Sequence, residues 1–206
     1  MSAPPDDLPA RVDAEYAALA ADYDAAWAAY NAATAARTAA ALSARDRPAG
    51  PVLNAGCGTD PGASTAGGNV VGLDRSAPML RVARRDRPRV PVVLGDAAAL
   101  PFGDRSFAAA VTTSALHYLP DPAAAVRELA RVLRPGSPCV WTDWDGGSLT
   151  TRAVVAWLRL TGRPLGAVLT ADAMAAAMTD AGFADVRVDR WRHGMLWGLA
   201  TVSGTR

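Results

Sequence analysis

Between residues 11 and 44, large apolar side chains recur three and four positions apart, at Val12, Tyr16, Leu19, Tyr23, Trp27 and Tyr30. This spacing predicts one or two amphipathic helices, and the many intervening alanines favour the same state. Two prolines and a glycine within Arg45–Pro51 end the helical pattern. Beyond them, short apolar runs alternate with helical stretches. Strands are expected at Val52–Ala55, Asn69–Leu73, Val90–Leu94, Phe107–Thr113 and Cys139–Thr142, with helices at Pro78–Arg85, from Asp121 to Arg134, and at Ala171–Ala181. Asp121 supplies an N-cap ahead of a first-turn proline, and Gly136 and Gly182 follow helix ends. Such alternation implies an α/β fold with a doubly wound, mainly parallel sheet. The last two strands, Val186–Trp191 and Met195–Val202, are joined by a short turn around His193 and Gly194 and must form an antiparallel hairpin, for seven strands in all. No repeat or linker divides residues 1–206, so one domain is expected.

Half of the 206 residues are hydrophobic, enough for one sizeable core. Twenty-one basic residues face twenty acidic ones, so no long-range field gathers nucleic acid or an anionic membrane, and a small neutral partner fits better. Two cysteines, Cys57 and Cys139, cannot frame a disulfide scaffold, which fits a reducing cytoplasm. Residues 1–10 lack a basic region leading into an apolar run, and no run of about 18 apolar residues occurs anywhere, so a cytoplasmic, unanchored protein is expected.

The first strand opens directly into Gly56-Cys57-Gly58, where glycine lets backbone approach a ligand closely. Asp74, at the tip of the second strand, stands where a carboxylate accepts hydrogen bonds from vicinal ribose hydroxyls. Together they indicate a nucleoside. The glycines at 56, 58 and 62 do not keep the G-x-G-x-x-G spacing of dinucleotide sites, which argues against a nicotinamide cofactor.

Val52-Leu-Asn-Ala-Gly-Cys-Gly58 resembles the first motif of class I S-adenosylmethionine-dependent methyltransferases. Gly72–Leu80 resembles the ribose and adenine segment of that family, Gly95–Phe102 its adenine loop, Ser114–Leu119 the stretch after its fourth strand, and Arg127–Gly136 the helix and turn before its fifth. Five motifs in order make the resemblance specific over residues 50 to 146. It implies a single Rossmann-like domain with a helical lid (11–44), a cofactor-binding core (50–146) and C-terminal helices and hairpin (147–206). It further implies that S-adenosylmethionine is the cofactor, with Asn54, Gly56, Cys57 and Gly58 at its methionine part and Asp74 on its ribose. Arg75 and Met79 would border the adenine, Asp96 and Ala97 would bond it, Thr113 or Ser114 would touch the methionine end, and Tyr23 would close from the lid. Asn54 departs from the carboxylate usual at its position, Asp60-Pro61 replaces a loop glycine, Ala108 replaces a common Asp, and Thr59–Asn69 is too rich in Gly and Ser for the usual long helix.

The remaining candidates admit two readings each. His117 follows the fourth strand on the side where open α/β sheets bind substrates, and is either a general base or a packed histidine. Tyr16, Tyr23 and Trp27 form a lid, or the stripe of a packed helix. Trp144 and Trp157 could stack an aromatic acceptor, whereas Trp141 reads as core. Cys57 reads as a small loop residue, His193 as a solvated turn residue, and Arg81 to Arg89 as a solvated basic face away from the site. The expected function is methyl transfer to a small-molecule acceptor, with a non-methylating cyclase or binding protein on the same fold as the alternative. No metal site, nucleic acid or membrane partner is expected; a homodimer, the acceptor and the methylated atom are left open.

Overall fold

The computed structural model describes residues 8–60, 62 and 68–206. The expected shortening of the helix after the glycine loop falls on residues 61 and 63–67, outside the described residues, as does the Pro-rich start. Two helices, α1 (Leu8–Leu19) and α2 (Tyr23–Ser43), precede the sheet. Then come β1 (Val52–Ala55), β2 (Val70–Asp74), α3 (Ala77–Asp86), β3 (Val92–Leu94) and β4 (Ala109–Thr113). A single 3-10 turn (Leu116–Tyr118) leads to α4 (Pro122–Val132) and β5 (Pro138–Trp144), followed by α5 (Leu149–Leu160), α6 (Ala171–Asp180), β6 (Ala184–His193) and β7 (Trp197–Thr205).

The seven strands lie in the order β3-β2-β1-β4-β5-β7-β6. β1 to β5 run parallel, and β7 enters antiparallel between β5 and β6. This is the expected α/β class, and the hairpin order has a physical cause. The interior of β7, from Gly198 to Ser203 with Gly204, is fully buried, whereas β6 carries exposed Arg187, Asp189, Arg190 and Arg192 and takes the edge. Both hairpin strands run longer than the apolar pattern indicated, because ladder pairing from His193↔Trp197 to Ala184↔Thr205 includes their polar residues. Phe107, expected in β4, makes only an isolated bridge to Leu133.

Leu53, Leu73, Ala110, Leu129, Trp141, Met174 and Met178 pack one sheet face against α4 and α6. On the other face Leu42 of α2 covers Val52, Ala109, Val111 and Val140. α2 is further fixed by Thr38, whose hydroxyl donates to Thr142 Oγ1 at 2.7 Å. Strand order reverses between β1 and β4, and in open α/β sheets the crevice beyond the carboxyl ends at such a point takes the ligand. Among the described residues no helix is long and apolar enough to cross a membrane.

Candidate active site

At the end of β1 the chain turns on Gly56 and Gly58, whose φ values of +74° and +55° lie in the left-handed region that glycine adopts without strain. A Cβ on Gly56 would stand 2.3 Å from Ala115 Cβ, so the turn also requires a bare backbone. Leu73 O accepts from both Gly56 N–H (2.7 Å) and Cys57 N–H (3.0 Å), and Asp74 Oδ2 accepts from Gly58 N–H at 2.8 Å. The other oxygen of Asp74 accepts from Ser76 N–H at 2.8 Å. One carboxylate thus ties the glycine loop to the start of α3, retaining lone pairs for a ligand. Burial raises the Asp74 carboxyl above its ordinary value despite the two amide donors.

This turn forms one wall of a cavity of about 390 Å³, within the size range of small-ligand sites. Asn54, Gly56, Cys57, Gly58, Asp74, Arg75, Met79, Asp96, Ala97, Thr113, Ser114 and Tyr23 all line it. Asp96 is also held by the Ala98 amide, which donates to Oδ1 at 2.8 Å. Cys57 is buried and its thiol is pushed up by that burial, in keeping with a small loop residue rather than a nucleophile. Arg75 does more than border the cavity: its guanidinium donates to both oxygens of Asp13 (2.8 and 3.2 Å) and draws α1 across the opening. Arg87, expected on a solvated face, instead lines the cavity and pairs with Asp60 at 2.9 Å, because α3 ends beside the loop. Sequence reading did not single out Asp24, which α2 brings to the same wall, where it accepts from Thr59 Oγ1 at 2.5 Å.

A second cavity of about 600 Å³ adjoins the first, and Tyr16, Tyr23, Ser114 and Tyr118 line both. Trp27, Tyr30, Trp144, Trp157, Leu158, Leu165 and Trp197 make most of its other walls. Tyr16 therefore both packs and lids: its ring meets Tyr23 at 5.8 Å and Tyr118 at 5.2 Å between centroids. Burial pushes the Tyr23 hydroxyl up to about 12, so it stays protonated at neutral pH. Ser114, in the left-handed region at φ +52°, bonds Tyr30 Oη at 2.8 Å, and Tyr30 in turn accepts from Trp144 Nε1–H at 2.9 Å.

His117 belongs to this second cavity. Its ring stacks on Trp144 at 4.1 Å and 15°, and its Nδ1 lies 2.5 Å from Asp143 Oδ1. Asp143 Oδ1 also accepts from Trp144 N–H (2.8 Å), and Oδ2 from Trp141 Nε1–H (3.1 Å) and His117 N–H (3.3 Å). Burial alone would raise this carboxyl, but the His117 ring and these donors hold it below its ordinary value. An ionised carboxylate can only accept, so Nδ1 carries the hydrogen and Nε2 presents a lone pair. That buried Nε2 has no hydrogen-bond partner among the described residues. Asp143 was not singled out from sequence; the one signal, an acidic residue inside an apolar strand between two tryptophans, names no partner.

The family model described as a methyltransferase domain matches residues 53–141. The chain is 41% identical over 80 residues to the demethylmenaquinone methyltransferase of Renibacterium salmoninarum, covering 39% of this chain and 34% of that protein. It is 40% identical over 108 residues to the malonyl-[acyl-carrier protein] O-methyltransferase of Pseudescherichia vulneris, covering 50% of this chain and 42% of that protein. Residues 53–141 are thus similar to methyltransferase domains. The chain spans under half the length of these curated relatives. The SAM-dependent methyltransferase from Thermotoga maritima superposes with a TM-score of 0.74 over 92% of this chain and 97% of its own, at 20% identity, and so shows the shared fold. S-adenosylmethionine is the cofactor that this similarity implies, and the first cavity fits it in two observations. Its glycine wall is one that a Cβ at residue 56 would disrupt, and it offers carboxylates at the ends of β2 and β3, where a nucleoside needs acceptors.

Proposed function

We propose that the protein transfers a methyl group from S-adenosylmethionine to a hydroxyl of a small, apolar, flat acceptor. The observation that carries this reading is the wall shared by the two cavities, Tyr16, Tyr23, Ser114 and Tyr118, across which two ligands meet. When bound, the cofactor supplies a methyl on a positively charged sulfur, an electrophile that needs alignment and a dry site more than activation. Backbone at Gly56, Cys57 and Gly58, together with Asn54, Thr113 and Ser114, holds the methionine part. Asp74 takes the ribose, and Asp96, Ala97, Arg75 and Met79 surround the adenine. Tyr16 and Tyr23 exclude water from above.

His117 Nε2 accepts the acceptor's hydroxyl proton, and Asp143 stabilises the resulting imidazolium and keeps the ring in the tautomer that can accept. Aromatic walls suit a flat apolar acceptor. The charged groups lining the acceptor cavity, Glu15 and Arg163, are paired with each other at 2.5 Å, so a neutral acceptor is favoured. A cytoplasmic site of action is supported by Cys57 and Cys139, both buried and unpaired.

Conversion of S-adenosylmethionine to S-adenosylhomocysteine, followed with a panel of phenols and matched anilines, tests the reading. Turnover with phenols that requires His117 supports it. Tight S-adenosylhomocysteine binding without turnover on any hydroxyl acceptor would return the protein to the cyclase or binding class.

A further inference from the structure

The helix after β5 has an unusual surface. Val155 and Thr151 face the core, while Thr150, Ala153, Val154, Trp157 and Leu158 line the acceptor cavity. Leu149 and Leu160, eleven residues apart, project within about 20° of each other at 3.6 residues per turn. They stand beside the cavity-lining strip and are 78% and 88% exposed. Across the cavity mouth, the β6–β7 turn adds Met195 at 83% and Leu196 at 58%, and Leu196 and Trp157 share the cavity wall. Isolated exposed apolar side chains are ordinary, but protruding residues continuous with a cavity mouth mark an interaction site.

Charge on this face has one sign. Arg152 and Arg159 flank the Leu149–Leu160 stripe. Arg192 pairs in register with Gly198, whose missing side chain faces Ser148 and Thr151, so it lies on the α5 side of the sheet. No Asp or Glu occurs from residue 146 to 171 or from 190 to 206. Carboxylates bordering this face are engaged, Glu15 with Arg163, and Asp145 and Asp172 with Arg190. The chain's net charge of +1 conceals this local excess.

We propose that α5 and the β6–β7 turn dock on an anionic lipid surface, from which an apolar acceptor enters the cavity between Trp157 and Leu196. Leucine, methionine and tryptophan protruding beside arginines form the chemistry of an interfacial anchor. Entry beside the docked face spares an apolar acceptor a passage through water. A two-fold contact between copies is disfavoured, since it would set Arg152, Arg159 and Arg192 against their own equivalents. The second half of the proposal rests on the acceptor reading of the cavity; the docking itself does not.

Co-sedimentation of the full chain with vesicles tests the docking without methyl transfer. Binding is expected to phosphatidylcholine vesicles containing phosphatidylglycerol, weakening with salt, and much less to phosphatidylcholine alone. Arg152→Gln/Arg159→Gln should lower partitioning about thirtyfold, the change that ~1 kcal/mol per arginine gives. Leu160→Ser/Met195→Ser should lower it at least tenfold, with S-adenosylhomocysteine affinity and circular dichroism unchanged in both variants. Absence of binding to anionic vesicles, or binding that neither variant alters, overturns the proposal. So does a dimer in size exclusion that Leu160→Ser/Met195→Ser dissolves, which would assign the face to a second copy. Failure of the hydroxyl-transfer assay with intact vesicle binding would instead overturn the acceptor reading alone.

Discussion

His117 Nδ1 lies 2.5 Å from Asp143 Oδ1, joining a residue after β4 to one near the end of β5 and leaving Nε2 with no hydrogen-bond partner among the described residues. If Nε2 is the proton acceptor, His117→Ala should cost roughly 100-fold or more in kcat for a hydroxyl acceptor. The same variant should leave S-adenosylhomocysteine affinity within about threefold, because His117 lines only the second cavity. A loss below about fivefold, with the pH profile unmoved, would make His117 a packing residue.

Asp143→Asn separates positioning from packing. It should lower kcat at least tenfold while the acceptor KM moves little, since Asn no longer compels Nδ1 to carry the hydrogen. Stability gives a second readout with a definite sign. The folded-state carboxyl is held below its ordinary 3.8, so its stabilisation is present above that value and lost as pH falls through the folded one. Urea unfolding should therefore show a deficit in the variant at neutral pH that shrinks as the buffer is taken below about pH 4.

Asp74→Ala should weaken S-adenosylhomocysteine at least tenfold, since one or two charge-assisted hydrogen bonds of about 1.5 to 3 kcal/mol each are lost. Because Asp74 also bonds Gly58 and Ser76, part of that loss can arise from a loosened loop. Isothermal titration with adenine and with adenosine distinguishes the two. A lost ribose contact removes the advantage of adenosine over adenine, whereas a loosened loop weakens both equally.

Asn54→Asp places a carboxylate at a side chain only 3% exposed. The variant should bind S-adenosylhomocysteine about fivefold more tightly, through a charge-assisted bond to its ammonium worth about 1 kcal/mol. Its melting temperature without ligand should fall, because the same charge is then desolvated by burial. If affinity does not rise, the methionine end is held from elsewhere, with Asp24 of α2 the first residue to replace.

Gly56→Ala should abolish cofactor binding or folding, as its new Cβ meets Ala115 Cβ at 2.3 Å on a backbone with φ +74°. Adding Ala115→Gly removes the clash but not the strain. Partial recovery of the melting temperature in the double variant is expected; full recovery would show that the left-handed conformation costs little here.

Periodicity determined the seven strands and every helix but α5 (Leu149–Leu160), because burial of apolar side chains repeats every two or 3.6 residues whatever the topology. Local chemistry was equally legible: Gly56 and Gly58 permit a turn that other residues resist, and Asp74 ends a strand beside it. All twelve residues expected around the cofactor line the first cavity, since all but Tyr23 of α2 and Met79 of α3 lie at or just beyond strand ends that a parallel sheet brings to one edge. What the tertiary structure decided is whatever depends on elements distant in sequence. That β7 rather than β6 lies beside β5 follows from which strand can be buried on both faces. The Arg75–Asp13 clamp, Asp24 at the glycine loop and Arg87 at the cavity arise because helices dock where their apolar faces fit, and polar partners follow. The tautomer of His117 is of the same kind: a lone histidine in sequence is neutral between packing and catalysis, and only the buried carboxylate of Asp143, twenty-six residues away, fixes which nitrogen is free.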